Sequence, residues 1–233
     1  MRALSVRVGL ALALAATLAA CGSAPPKLHP LLEQVDKAMA GASSYRITGT
    51  DRAGETTSQF QVRVAQNGDF TARLVTRVPR SPSLVSRVVA KGDEVYVLAP
   101  TQLQELGITS LPGDLNPQTT WVEQPASVAT SYRHSLQPFF GAGLGRTLRA
   151  ALAGAARVEA GHRFQEAVWV VTERSRESSL RLWIASRSHR LRQLQISGSQ
   201  PVKLRYFDFS GGIEIQAPPS SQVYAPPTPA PGS

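Results

Sequence analysis

Few side chains in this 233-residue chain are placed to do chemistry. The four histidines, His29, His134, His162 and His189, are scattered, and none lies three or four residues from another. That spacing and a single cysteine argue against a zinc site. The chain has no G-x-S-x-G elbow, no S-x-x-K and no H-E-x-x-H. The glycines of "GAGLG" at 141–145 match neither a dinucleotide fingerprint nor a P-loop and read as a permissive turn. Asp51, Glu55, Asp69 and Asp93 fall in or near predicted turns and read as solvated turn residues. The expectation is a protein that is not an enzyme and uses no cofactor and no metal.

The exception is Cys21. It closes the stretch "LALAATLAACGSAPP" and follows a run, residues 8–20, that has no charge. Arg2 and Arg7 precede that run. Its 13 residues (20 − 8 + 1) fall short of the roughly 20 a membrane-crossing helix needs. A cationic start, a short apolar core and small residues before a cut site describe a signal peptide over 1–20. Leu18-Ala19-Ala20-Cys21 resembles the bacterial lipobox, in which the cysteine is acylated and the bond before it is cut. Cys21 is therefore the predicted lipidation site. Acyl chains contribute about 0.8 kcal/mol per buried CH₂, so two or three make a durable anchor. No other segment reaches 18 apolar residues. The predicted location is the extracytoplasmic face of the cell membrane, held through the N-terminal lipid.

Removing residues 1–20 leaves 213 residues (233 − 20) and lowers the basic count from 25 to 23 against 16 acidic residues, a net charge of +7 (23 − 16). No internal disulfide is possible, so the core must hold the fold. The charge suits work beside anionic headgroups. No nucleic-acid-binding motif is present, and no nucleic-acid partner is expected.

The elements follow from periodicity. "GSAPPK" at 22–27 reads as part of a lipidated tether over 21–27. The folded domain spans 28–217. The proline-rich segment 218–233 reads as an extended or disordered tail. Leu31, Leu32, Val35, Ala38 and Met39 recur at helical spacing, with Gly41 as the stop. The period then becomes two. Tyr45, Ile47 and Gly49 alternate with polar residues, as do Phe60, Val62 and Val64, then Phe70, Ala72 and Leu74. Asn67-Gly68 signals a hairpin. A second hairpin turns at Gly92-Asp93 and sets Lys91 opposite Glu94, Ala90 opposite Val95 and Val88 opposite Val97. Residues 109–133 read as a long loop with at most a short strand near Trp121, and a second helix is predicted over 137–153. Strands follow at about 164–173, 179–186, 190–197 and 202–209. The fold class is α+β with a long antiparallel sheet.

This order of elements, with "AKGDEVYVLAP" followed by "TTWVE", "LRLWIASRSHRLRQLQI" and "LRYFDFSGGIEIQAPPS", resembles the LolA/LolB-like superfamily of bacterial lipoproteins, nearest the actinobacterial LppX/LprG type. The resemblance covers about residues 28–219. It implies a strongly curved antiparallel sheet, a half-open β-barrel closed by helices, with an apolar cavity that holds acyl chains. The residues expected to line it, taken from strand faces, are Ile47, Phe60, Val62, Val64, Phe70, Leu74, Val88, Val95, Val97, Leu180, Leu182, Ile184 and Leu204.

The leading functional expectation is a monomeric, anchored lipoprotein that binds and carries lipids or acylated molecules. The alternative is a module of the same fold that senses or binds an envelope partner protein. Arg181, Arg187, Arg190 and Arg192 form the densest charge cluster, read either as a solvated outer strand face or as a contact for anionic headgroups or an acidic partner.

Overall fold

The computed structural model describes residues 24–98, 111, 113, 115–116, 118–136, 144–152 and 156–226, without the side chains of 132–136 and 146. Cys21 and the predicted signal peptide, most of the loop before Trp121, and the first seven residues of the helix predicted over 137–153 lie outside them. No helix among the described residues is long and apolar enough to cross a membrane.

The helices are α1 (Leu28–Ala40), α2 (Ala126–Leu136) and α3 (Leu144–Ala151). The strands are β1 (Ser44–Ala53), β2 (Thr56–Ala65), β3 (Phe70–Arg77), β4 (Leu84–Lys91), β5 (Glu94–Leu98), β6 (Trp121–Glu123), β7 (Arg157–Arg163), β8 (Glu166–Arg174), β9 (Ser179–Ala185), β10 (Leu191–Ser197), β11 (Val202–Phe207) and β12 (Val223–Tyr224). All belong to one sheet, in the order β12-β6-β5-β4-β3-β2-β1-β11-β10-β9-β8-β7. Every pairing is antiparallel except β12 with β6. The sheet is unclosed among the described residues, with β12 and β7 at its ends.

Strand alternation gives this sheet an inner and an outer face. From β5 through to β8 in the sheet order the inner face is packed into one core, which α1 joins through Leu31, Leu32, Val35 and Met39. Strands sit about 4.8 Å apart, and a helix with its side chains is only 10–12 Å wide. A flat sheet of this width could not bury so much of one face under so few helices. The sheet therefore curls around α1 as a half-barrel. α3 closes over α1 at Gly145, where a Cβ would sit 2.6 Å from Asp36 Cβ and 3.0 Å from the Leu32 carbonyl oxygen. The Gly145 N–H donates to Asp36 Oδ1 at 3.2 Å. The glycine expected in a turn is thus a helix residue that permits a close crossing.

Both predicted hairpins form, and the one at Gly92-Asp93 has the expected register. Lys91 pairs with Glu94, Ala90 with Val95 and Val88 with Val97, while Val64 pairs with Phe70 across the Asn67-Gly68 turn. Four expectations are corrected. Residues 126–133, read as the end of a long loop, belong to α2, which runs on to Leu136. The strand predicted to start at 164 instead begins after a turn at Phe164-Gln165, both with positive φ (56° and 62°), and an unforeseen strand, β7, precedes it. Asp69 is buried rather than solvated: its Oδ1 accepts from Gly92 N–H at 2.9 Å and its Oδ2 from Asn67 Nδ2 at 2.8 Å, tying the two hairpin turns together.

The fourth correction concerns the tail. Beyond residue 217 the chain makes a 3₁₀ turn (Ser220–Gln222) and then pairs as β12 with β6. Only two residues pair, and they fall in the proline-free stretch "SSQVY", where the donors that proline lacks are present. To reach β6 the chain runs from β11 across the outer face. The Ile213 N–H donates to Ser44 Oγ at 3.3 Å. Ile215 is buried in a second, smaller core with Val89 and Tyr96, against which Ala65, Trp121, Ile213 and Val223 pack. The segment is a strap joining the middle of the sheet to its edge.

Candidate functional site

The candidate site is the inner face. Register places all thirteen predicted residues on it. Ile47 opposes Val62 and Tyr206; Phe60 opposes Leu74; Val62 and Val88 both oppose Ala72. Val64 opposes Phe70, and Ala90 is opposite both Phe70 and Val95. Val97 faces Val88 and Val122. On the other half Leu204 opposes Leu194, which opposes Leu182, while Ile184 opposes Leu191 and Leu180 opposes Ile196.

These residues differ in cover. Ile47, Val62, Val64, Phe70, Val95, Val97, Leu182, Ile184 and Leu204 are buried in the core shared with α1 and α3. Phe60, Val88 and Leu180 are only partly buried, and Leu74 is 38% exposed. Leu84, next along the same end of β4, is 46% exposed. Ala72, Ile196 and Val202, which are not among the residues expected to line the cavity, are partly buried beside them. The helices thus cover one end of the inner face and leave an apolar trough at the other.

Gly49 shapes the floor of that trough. A Cβ there would collide with the Phe60 ring and lie 2.8 Å from Leu204 Cδ2. Without it, Phe60 lies flat across β1. Its ring spans the boundary between the covered and the open end.

One polar atom intrudes. Tyr206 is fully buried on the inner face, with its ring 6.3 Å from that of Tyr45. Its hydroxyl has no hydrogen-bond partner among the described residues. Burial first, and Tyr45 second, push its pKa well above the ordinary tyrosine range. Sequence alternation alone marks Tyr206 as an inner-face residue, but nothing in the sequence marks its hydroxyl as orphaned.

Among the described residues no group of three or more His, Cys, Asp or Glu side chains could hold a metal. Within the arginine cluster, Arg192 ion-pairs with Glu166, Arg190 and Arg192 stack over Phe209, and Arg181 stacks over Trp183. The cluster is therefore divided among separate local partners. What most of the inner face can do is take up apolar surface, since it presents mainly aliphatic and aromatic side chains.

No family model matches the chain. No curated protein matches it. Among solved structures it is similar to LprF from Mycobacterium bovis, at 11% identity and TM-score 0.47, over 84% of this chain and 99% of that one. It is also similar to the Mycobacterium tuberculosis lipoprotein LppX, at 14% identity and TM-score 0.46, over 81% and 97%. A third likeness is to MucB, solved in complex with MucA, at 11% identity and TM-score 0.40, over 82% of this chain and 58% of that one. LppX is of the lipoprotein type that the sequence resemblance named.

Proposed function

We propose that this chain is an extracytoplasmic lipoprotein, anchored through Cys21, that binds and carries lipids or acylated molecules on the inner face of its half-barrel and catalyses no reaction. The observation that carries the reading is the trough. Phe60, Leu74, Leu84, Val88 and Leu180 leave large apolar side chains partly in water at one end of a face whose other end is sealed. Acyl chains laid there would remove that surface from water, at about 25 cal/mol per Å². In this reading the nine buried residues form the wall and floor of an apolar cavity, and the four open ones meet the ligand first. Removal of residues 1–20 leaves Cys21 at the start of a tether to α1.

Native mass spectrometry of the protein purified from its own host, followed by lipid extraction, tests the binding. The expected result is a stoichiometric acyl-bearing species. Protein that is free of lipid, or that carries an apolar protein segment instead, would sink the carrier reading. The anchor is tested separately. Cys21→Ser should release the protein from membranes or leave its signal uncut, and a processed, membrane-bound variant contradicts lipidation.

A further inference from the structure

The outer face carries charge of one sign over its middle. Across β11, β1, β2, β3 and β4 the outward residues alternate with the inner-face set, and every charged one is arginine or lysine. Register sets like charges directly opposite each other: Arg46 against Arg63, and Arg73 against Arg87. Directly opposed like charges weaken a sheet. Of these four, Arg46 has a carboxylate, Asp208 at 2.9 Å. Arg63, Arg73 and Arg87 are exposed and have no ion pair among the described residues. Solubility alone is served better by mixed signs.

We infer that this face rests on the surface of an anionic phospholipid bilayer. Between the arginines lie Thr48, Gln61 and Thr71; the apolar residues of this face, Phe207 opposite Arg46 and the pair Val75 and Val85 beside Arg73 and Arg87, are half-buried or buried, so what the face exposes is cationic and polar rather than an apolar hot spot. The Phe207 ring already has the Arg205 guanidinium 6.0 Å from its centroid, which competes with the stacking of a base. A bulging cationic surface suits headgroups, which are fluid and can gather around it without directional pairing. The strap leaves this area clear, because Ile213 and Ile215 pack near Ser44, Ala65, Val89 and Tyr96. The inner face would then point away from the bilayer, and its trough would stay open to cargo.

The test uses the chain beginning at Gly22, which keeps the whole sheet and both cores but has no anchor. Its binding is measured by flotation with phosphatidylcholine vesicles, with and without about 30 mol% phosphatidylglycerol. Binding is expected only to the anionic vesicles and should fall steeply from about 0.05 to about 0.5 M salt. Each cation near such a surface contributes about fivefold, so the triple variant Arg63→Gln, Arg73→Gln, Arg87→Gln should bind roughly 100-fold more weakly. Its thermal midpoint should be unchanged or higher, since opposed charges are removed. The control Lys37→Gln, Arg176→Gln, Arg187→Gln has the same net charge and should keep binding near wild type. Equal loss in both variants, equal binding to neutral vesicles, or binding to duplex DNA but not to vesicles would overturn the inference.

Discussion

At the end of the inner face under α1 and α3, Leu31, Val35, Val95 and Leu182 are sealed from water, and strand and helix side chains interlock. Along the same strands, past the Phe60 ring, Leu74 and Leu84 stand 38% and 46% exposed. At the covered end the inner face is apolar; at the open end Leu74 and Leu84 share it with Asp51, Ser58, Thr76 and Ser86, and α1 and α3 do not seal them. α1 is only 13 residues long, about 20 Å at 1.5 Å per residue, and α3 is held against it at Gly145 rather than further along the sheet. One surface therefore serves as core at one end and as an exposed apolar patch at the other. Exposed apolar surface of that kind is what the proposed lipid binding would use.

Truncation should separate the ends most sharply. Leu182→Ala removes a side chain with no exposure, and such changes cost about 2 to 5 kcal/mol. Leu74→Ala removes one already partly in water and should cost under about 1 kcal/mol, because little buried surface and no closed cavity are at stake. Urea unfolding of both variants makes the comparison. Equal costs would mean that the open end is core after all.

The next effect belongs to the strap. Ile215→Ala opens the small outer core around Val89 and Tyr96 and should cost about 2 to 3 kcal/mol. A change below about 0.5 kcal/mol would show that the segment past β11 adds nothing to the fold. The inner face should not notice the loss, so lipid occupancy is expected to stay at the wild-type level while stability drops.

The strap also shows where sequence reading stopped. The hairpin at Gly92-Asp93 was legible because alternation, a turn dipeptide and an opposed charge pair all agree on one register. The thirteen inner-face residues were legible for the same reason: a period of two assigns a face, and a slip of one residue would have turned every one outward. β7, "RVEAGHR", has too few apolar residues to show alternation, and its turn uses Phe164-Gln165 in the left-handed region without a glycine to announce it. α2 is clear of the core apart from Ala129 among its described side chains, so it leaves almost no periodic signature. The part of the strap beyond residue 217 reads as a tail because its prolines report extended backbone and say nothing about the pairing of Val223 and Tyr224 with β6. The division of the inner face into covered and open ends was illegible because it depends on where α1 comes to rest, a long-range contact with no local mark.

The smallest expected effect probes the covered end from within. Tyr206 places a hydroxyl without a partner among the described residues in apolar packing, and an unsatisfied buried group of this kind costs about 1 to 3 kcal/mol. Tyr206→Phe deletes the hydroxyl and keeps the ring, so the variant should be more stable by up to about 1 kcal/mol once the lost packing of the oxygen is set against the relief. The pH dependence supplies a second readout. Burial raises the Tyr206 pKa in the folded protein above the unfolded value of about 10. Stability tied to the neutral phenol is then complete below pH 10. As pH rises beyond that, the unfolded chain releases its proton first, and stability falls. Tyr96, pushed up to about 12 by burial and then by its 2.6 Å hydrogen bond to Glu94, adds a loss of the same sign. Wild type should therefore lose stability between pH 10 and about 12 more steeply than Tyr206→Phe, with a residual slope in the variant that Tyr96→Phe removes. If Tyr206→Phe proves less stable than wild type near neutral pH, its hydroxyl has found a partner inside the half-barrel, and the covered end is wetter than its side chains imply.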